Sequence, residues 1–525
     1  MPIAPARTVL ALRLLAPLLV LLTLFPAAAR ADHDRWYIVE MMGGRAGWMH
    51  STQTTTPPAP EADADNADAG AAAAPGAISS QSAVRFSLKR GDLKLEITME
   101  TAFVETAAGE PVSMRSVQKL GTSAVTQEYT FKDDGVEVTT TQGGQSKTAF
   151  LPRPEGVWLT PAAAERYVRQ RFLSGAKEIT VRTIDPSAGL APIVATRTAF
   201  EPATIQATGR AIQATKMSTT TSVMPGVRST EWVDAAGELV KSETMLGGIT
   251  VTMTAATREE AIAEGAAPEV MTTTFITPDR PIDRPRSTRR AVYVLAVDDG
   301  ELPELPATGA QRVEVIDPRS ARLTVDADAA QAAPASEAAD PAFLAATTAV
   351  DSDDDRIAAL ARRALRSTGA DPARRAETLR RAVHDHIIHK NLGVGFATAS
   401  ETVRTKTGDC TEHGVLLAAV LRADGIPARV ASGLIYADDF AGAQHIFGYH
   451  MWAQALLEVD GQQRWVDLDA TLPDSTPFDA THITLSTSSL ADADPGASML
   501  TLAQVLGRLS IKVEETSTKP TPGDR

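Results

Sequence analysis

The sequence predicts an α+β protein in two parts, an N-terminal antiparallel β-rich domain followed by a smaller α+β domain. Three observations carry that reading. Leu93, Leu95, Ile97 and Met99 alternate with Lys94, Glu96 and Thr98, the pattern of a sheet with one buried and one wet face. From Asp351 the period turns helical, with Ile357, Leu360, Ala361, Ala364 and Leu365 on one stripe. A chain of 525 residues with 43% hydrophobic content is globular in composition and longer than one core usually supports.

Residues 1–31 read as a secretory signal peptide. Arg7 and Arg13 precede the apolar run Leu14 to Phe25, and Ala29-Arg30-Ala31 is a small-x-small site. The run is short for a membrane span, so membrane association is expected only through an uncleaved signal. The mature chain is expected in the periplasm or outside the cell. Losing this segment removes three arginines and no acid, which takes the formal net charge from −14 to −17. That charge repels nucleic acid and anionic membrane surfaces, so neither is an expected partner.

Residues 32–277 form the predicted β-rich domain. Trp36 to Met42 and Gly47 to His50 read as a hairpin, and Tyr129 to Val138 and Thr230 to Lys241 as two more. Ala, Pro, Thr, Asp and Gly dominate residues 54–82, a composition too poor in apolar surface to order, and a disordered loop is expected there. Pro161 to Phe172 and Thr257 to Ile262 are the helices of this part. A curved sheet of this kind either holds an apolar ligand or presents a surface. Residues 278–340 read as a linker and a small β module, with a flexible connection from Asp326 to Pro341. Residues 341–490 make the second domain, and residues 491–525 a C-terminal tail. Asp351, Asp353, Asp354 and Asp355 lack a central glycine and a downstream bidentate Glu, so they read as charges at a helix N-terminus rather than a calcium loop.

The second domain holds Cys410, the only cysteine in the chain. It cannot belong to an internal disulfide, and in an exported chain an unpaired thiol is either inert, intermolecular or reactive. Val415 to Arg422 continues from it as a buried helix closed by Asp424-Gly425-Ile426-Pro427. Cys410 thus sits at a helix N-terminus, where the dipole favours thiolate. A thiolate that does acyl chemistry needs a base and a group to orient that base. Tyr449 to Val459 reads as a strand carrying His450, Asp460-Gly461-Gln462-Gln463 as a turn, and Arg464 to Thr471 as the returning strand carrying Asp467 and Asp469. Residues two apart on a strand face one side, so periodicity does not choose between the two aspartates. His384, His386 and His389 are spaced wrongly for one helical face and read as structural rather than metal-binding, and His413 as a supporting residue on the Cys410 helix.

Gly408-Asp409-Cys410, His450-Met451-Trp452 and Trp465-Val466-Asp467-Leu468-Asp469-Ala470-Thr471, in that order, resemble the motifs of the transglutaminase-like superfamily. Leu421 to Val430 resembles the family's stretch between the first two. The resemblance covers residues 355–486 and departs at Ala470, where many members have proline. It implies a papain-like cysteine protease fold with Cys410 as nucleophile, His450 as general base and acid, and Asp469 as the orienting carboxylate. It further implies acyl transfer on a protein or peptide substrate through a thioester, by hydrolysis or cross-linking, with backbone N–H groups at the helix start in an oxyanion hole, and with no calcium pattern visible in the sequence a metal-free enzyme without cofactor is expected. The rival expectation is an inert transglutaminase-like scaffold whose N-terminal sheet binds a lipid or protein partner.

Overall fold

The computed structural model describes residues 33–518 except 57–75, 91–92, 121–122, 247–248, 270–273, 299, 391–395, 493–501 and 503. The predicted signal peptide and most of the predicted loop lie outside the described residues.

Alternating apolar residues build the N-terminal part. Fourteen strands, from His33–Met41 to Ile249–Ala256, form one antiparallel sheet. The first and fourteenth strands pair at its middle, Trp36 opposite Ala256, so the chain walks out to one edge at Gln145–Leu151 and back in from the other edge at Ile179–Thr183. One face carries a continuous core including Val39, Met49, Phe86, Ile97 and Met253. The loop expected over 54–82 is shorter than its composition indicates. Thr54 and Thr55 end the strand Gly44–Thr55, and Ala77–Arg90 is a strand paired with it, because serine and threonine fill the wet face of a strand as readily as a loop.

The helix Pro161–Leu173 starts on Pro161 behind Thr160 and packs across Ile179–Thr183. Between it and the sheet lies a cavity of about 110 Å³ lined by Gln53, Glu165, Asp185 and Arg197 beside Phe103 and Val168. Buried charge in that lining does not suit an acyl chain.

The remainder is organised differently from the expected linker, module, domain and tail. Residues from Ile276 to Val513 share a single apolar core. The expected tail contains the strand Leu509–Ser517, which pairs with Arg290–Val297 inside a four-stranded sheet. Its partner lies more than two hundred residues earlier, a distance that hides the pairing from local pattern. The expected linker is anchored too. Ile282 is buried, and Arg286 in the 3₁₀ turn Pro285–Ser287 reaches Asp479 at 2.7 Å. In the connection expected to be flexible, Glu337 accepts from Trp465 Nε1 at 2.7 Å and Arg429 at 2.9 Å.

A second four-stranded sheet, ordered Gln462–Leu468, Ala443–Val459, Ala428–Phe440 and His482–Ser488, carries the site. The helix Cys410–Ala423 packs on it, with the helices Asp355–Ala364, Pro372–His386 and Ala399–Thr405 around that helix. Asp354 and Asp371 cap the starts of two of these helices, Asp354 accepting from Arg356 N at 2.7 Å.

Candidate active site

The Gly-Asp-Cys start of the helix is explained by its capping. Asp409 is the N-cap and accepts from Thr411 N at 2.9 Å, while Glu412 at N3 reaches back to Asp409 N at 2.9 Å. Glu412 also accepts from Ala397 N at 3.0 Å, which ties the 396–398 loop to the helix start. A Cβ at position 408 would lie 2.3 Å from the Glu412 Cβ, so Gly408 is what lets that carboxylate fold back. The N–H groups of Thr411 and Glu412 are taken by Asp409 and do not serve an oxyanion, which narrows the expected helix-start oxyanion hole.

Cys410 is the first residue of this helix and is fully buried. One turn on, a Cβ added at Gly414 would lie 3.2 Å from Met451 Cγ and 3.4 Å from the Trp452 carbonyl oxygen. The face shared by positions 410 and 414 therefore meets the strand at the residues next to His450.

His450 and Asp469 are together. His450 Nε2 lies 2.8 Å from Asp469 Oδ2, both residues 1% exposed. The other oxygen, Oδ1, accepts from Thr471 N and Thr471 Oγ1, each at 2.7 Å. That explains the Asp-x-Thr part of the motif, since the threonine fixes the rotamer of the carboxylate. Burial acts to raise the Asp469 pKa, but the two imidazoles beside it hold the carboxyl well below the usual carboxylate range. A carboxylate accepts, so His450 Nε2 carries the hydrogen, and in the neutral ring Nδ1 is the lone-pair nitrogen. His450 Nδ1 is buried with no hydrogen-bond partner among the described residues.

Asp467 is separated from this pair by the strand register. Its Oδ1 accepts from Trp452 Nε1 and Gln454 Nε2, each at 2.8 Å, and its Oδ2 from Ala310 N at 2.7 Å. Burial raises its pKa. His450, Trp452 and Gln454 share one face of their strand, and the two aspartates on the neighbouring chain segment meet different members of that row.

One residue of the cluster was missed in the sequence. His482, also 1% exposed, donates from Nε2 to Asp469 Oδ2 at 3.2 Å and from Nδ1 to the Asp479 carbonyl oxygen at 3.0 Å. A usable signal existed. Asp469-Ala470-Thr471 recurs as Asp479-Ala480-Thr481 directly before His482, and the second copy makes the same turn, with Thr481 N and Oγ1 on Asp479 Oδ1 at 2.9 and 2.6 Å.

His450, Asp469 and His482 offer ligand-type atoms within 4.8 Å of one another, the one such group among the described residues. Their contacts are hydrogen bonds between N–H donors and a carboxylate, and zinc ligation at about 2.0–2.2 Å would require both imidazoles to give up those protons. The arrangement fits a proton-holding cluster better than a metal centre.

His413 is fully buried, donates from Nδ1 to the Asp409 carbonyl oxygen, and leaves Nε2 without a hydrogen-bond partner among the described residues. Burial pushes its pKa down to about 4, so it is neutral. His384 and His386 donate to the carbonyl oxygens of Ala470 and Val403 at 3.0 and 2.8 Å, and His389 is exposed. Arg380, buried, donates to the Leu472 carbonyl oxygen at 2.8 Å and clamps the segment that carries Asp469.

A helix start carrying the lone thiol, packed on an antiparallel sheet that holds a buried His–Asp pair, defines an α+β domain. Residues 358–470 match the model of the transglutaminase-like superfamily. No curated protein matches the chain. Among solved structures, a β-barrel-like protein of a domain of unknown function from Brucella abortus is 10% identical, covering 43% of this chain and 95% of its own, with a TM-score of 0.30. A candidate cysteine protease from Cytophaga hutchinsonii is 15% identical, over 45% of this chain and 92% of its own, with a TM-score of 0.27. The periplasmic domain of TgpA from Pseudomonas aeruginosa, bound to ethylmercury, is 17% identical, over 38% and 88%, with a TM-score of 0.24.

Proposed function

We propose that the chain is an exported cysteine-dependent acyl-transfer enzyme, with Cys410 as nucleophile, His450 as general base and acid, and Asp469 as the carboxylate that orients His450. The observation that carries this reading is the buried 2.8 Å bond from His450 Nε2 to Asp469, which leaves Nδ1 unpartnered on the strand that receives the Cys410 helix. Nδ1 takes the thiol proton, and the thiolate adds to the carbonyl carbon of a peptide or carboxamide. Nδ1–H then protonates the departing amine as the tetrahedral adduct collapses to a thioester, and water or a second amine resolves it. Peptide hydrolysis is the first choice and cross-linking the second.

Full burial of Cys410 favours a second reading, an inert transglutaminase-like scaffold in which the N-terminal sheet binds a partner. One experiment separates the two. Iodoacetamide at neutral pH should label native Cys410, with labelling at least about tenfold slower in His450→Ala. Labelling only after unfolding would leave the scaffold. A peptide library run beside an amine-incorporation assay then decides between water and amine as the acceptor.

A further inference from the structure

The structure assigns a fourth residue to this site: we propose that His482 is a positioning residue, an imidazolium clamped between Asp469 and Asp479 that orients the Asp469 carboxylate and tempers its pull on His450. The proposal rests on the acyl-transfer reading above.

The protonation of His482 follows from its partners. Nε2 meets a carboxylate and Nδ1 meets a carbonyl oxygen, at 3.2 and 3.0 Å, and neither partner can donate. Both ring nitrogens must therefore carry hydrogen. The second carboxylate supports the charge, because Asp479 Oδ1 is 3.4 Å from Nδ1. Burial acts to lower the His482 pKa, yet the two aspartates outweigh it and push the group up to about 9. Asp479 is in turn paired with Arg286 at 2.7 Å, which leaves a chain Arg286, Asp479, His482, Asp469 of alternating sign that ends on the His450 ring.

The groups facing this chain from other elements do not replace His482. Asp467 is occupied by Trp452, Gln454 and Ala310 N. His413 is neutral, and Lys390 lies on the exposed strand His389–Lys390, although its charge and that of Asp469 act on each other. Tyr293 donates to the Ala480 carbonyl oxygen and, its pKa raised by burial, stays protonated. The ring of His482 is fixed between Trp452, edge-on at 5.4 Å, and Phe478 at 4.3 Å, so it cannot turn away from Asp469.

A cation on the far side of Asp469 weakens the attraction between that carboxylate and a protonated His450. Removing the cation while keeping a donor should strengthen it. In His482→Asn, the alkaline limb of the rate of Cys410 alkylation against pH should move up by about one unit. A residue that only fills space would change stability or the plateau rate and leave the limb in place. Asp479→Asn removes the anion that sustains the charge and should move the limb in the same direction, which gives a second reading if His482→Asn fails to fold. In the unmodified mature chain, nitrogen NMR should find both His482 ring nitrogens protonated at pH 8. An unmoved limb in a folded variant, or a neutral His482 ring at pH 8, overturns the proposal. Failure of the acyl-transfer reading looks different, because native Cys410 would then resist alkylation or react equally in His450→Ala, whatever the protonation of His482.

Discussion

Asp467, in the strand Gln462–Leu468, and Asp469, just past its end, are both buried, yet they should fail in different ways when changed. Asp469→Asn removes the charge facing His450 and His482, and should lower kcat/KM by about 10²–10⁴-fold. Asp467→Asn turns one acceptor of three donors into a donor and should cost about 1–3 kcal/mol of stability, read as a lower denaturation midpoint, with the alkylation profile of Cys410 unmoved. If Asp467→Asn abolished alkylation while folded, the assignment of the two carboxylates would be reversed. The lone thiol, the histidine two before Trp452 and the pair of aspartates were all legible in the sequence. The choice between the aspartates was not, because alternation reports a face and not a position along it. His482 was missed for another reason: the repeated Asp-Ala-Thr before it marks the local Asp479 turn, but its contact with Asp469 thirteen residues earlier is a tertiary one that local pattern does not report.

At the scale of elements, the hairpin of strands Gly135–Gln142 and Gln145–Leu151 joins the N-terminal sheet to the site. Gln142 Nε2 donates to the Phe396 carbonyl oxygen at 2.8 Å, and a Cβ on Gly143 would sit 2.9 Å from Thr398 Cγ2. The next residue in that loop, Ala397, is bonded to Glu412, two positions after Cys410. Gly143 has φ +58°, so Gly143→Val adds backbone strain to a steric clash and should cost about 2–3 kcal/mol. Because the hairpin braces the loop that braces the helix start, the same variant should label faster at Cys410 under native conditions. An unchanged labelling rate would show that the hairpin contact does not reach the thiol. The helix that carries Cys410 was readable from its ends, starting at Cys410 and closing at Gly425 where the pattern placed them, since helix ends are decided within a few residues. Strand pairing across two hundred residues is not decided locally, which is why Leu509–Ser517 looked like a tail.

The C-terminal core holds a buried histidine, His413, whose pKa is lowered, beside His482, whose pKa is raised, whereas Glu165 of the N-terminal part is raised, so the two halves should respond differently to pH. In the N-terminal sheet, Glu165 has its pKa raised to about 7, chiefly by burial, and is neutral in the fold at acid pH. Its favourable contribution is complete below the unfolded value near 4.5 and is lost as pH rises through about 7. In the C-terminal core, His413 titrates near 4 instead of 6.5, so acid favours the unfolded chain, and stability there falls by up to about 3 kcal/mol as pH drops from 6.5 to 4. His482 acts from the other side. With a folded value of about 9, its contribution is complete below 6.5 and disappears as pH rises through 9. The core should therefore be most stable near pH 6.5, whereas the Glu165 term makes the sheet decline steadily from pH 4.5 to 7. Hydrogen exchange of the intact chain at pH 5, 6.5 and 9, corrected for the intrinsic rate, can follow Val181 and Val430 as buried reporters of the two halves. Glu165→Gln should flatten only the sheet's response, and His413→Asn only the acid side of the core's. If Val430 protection rose steadily from pH 5 to pH 9, the charged state assigned to His482 would be wrong, because only a group that holds its proton longer in the folded core can make that core weaken above neutrality.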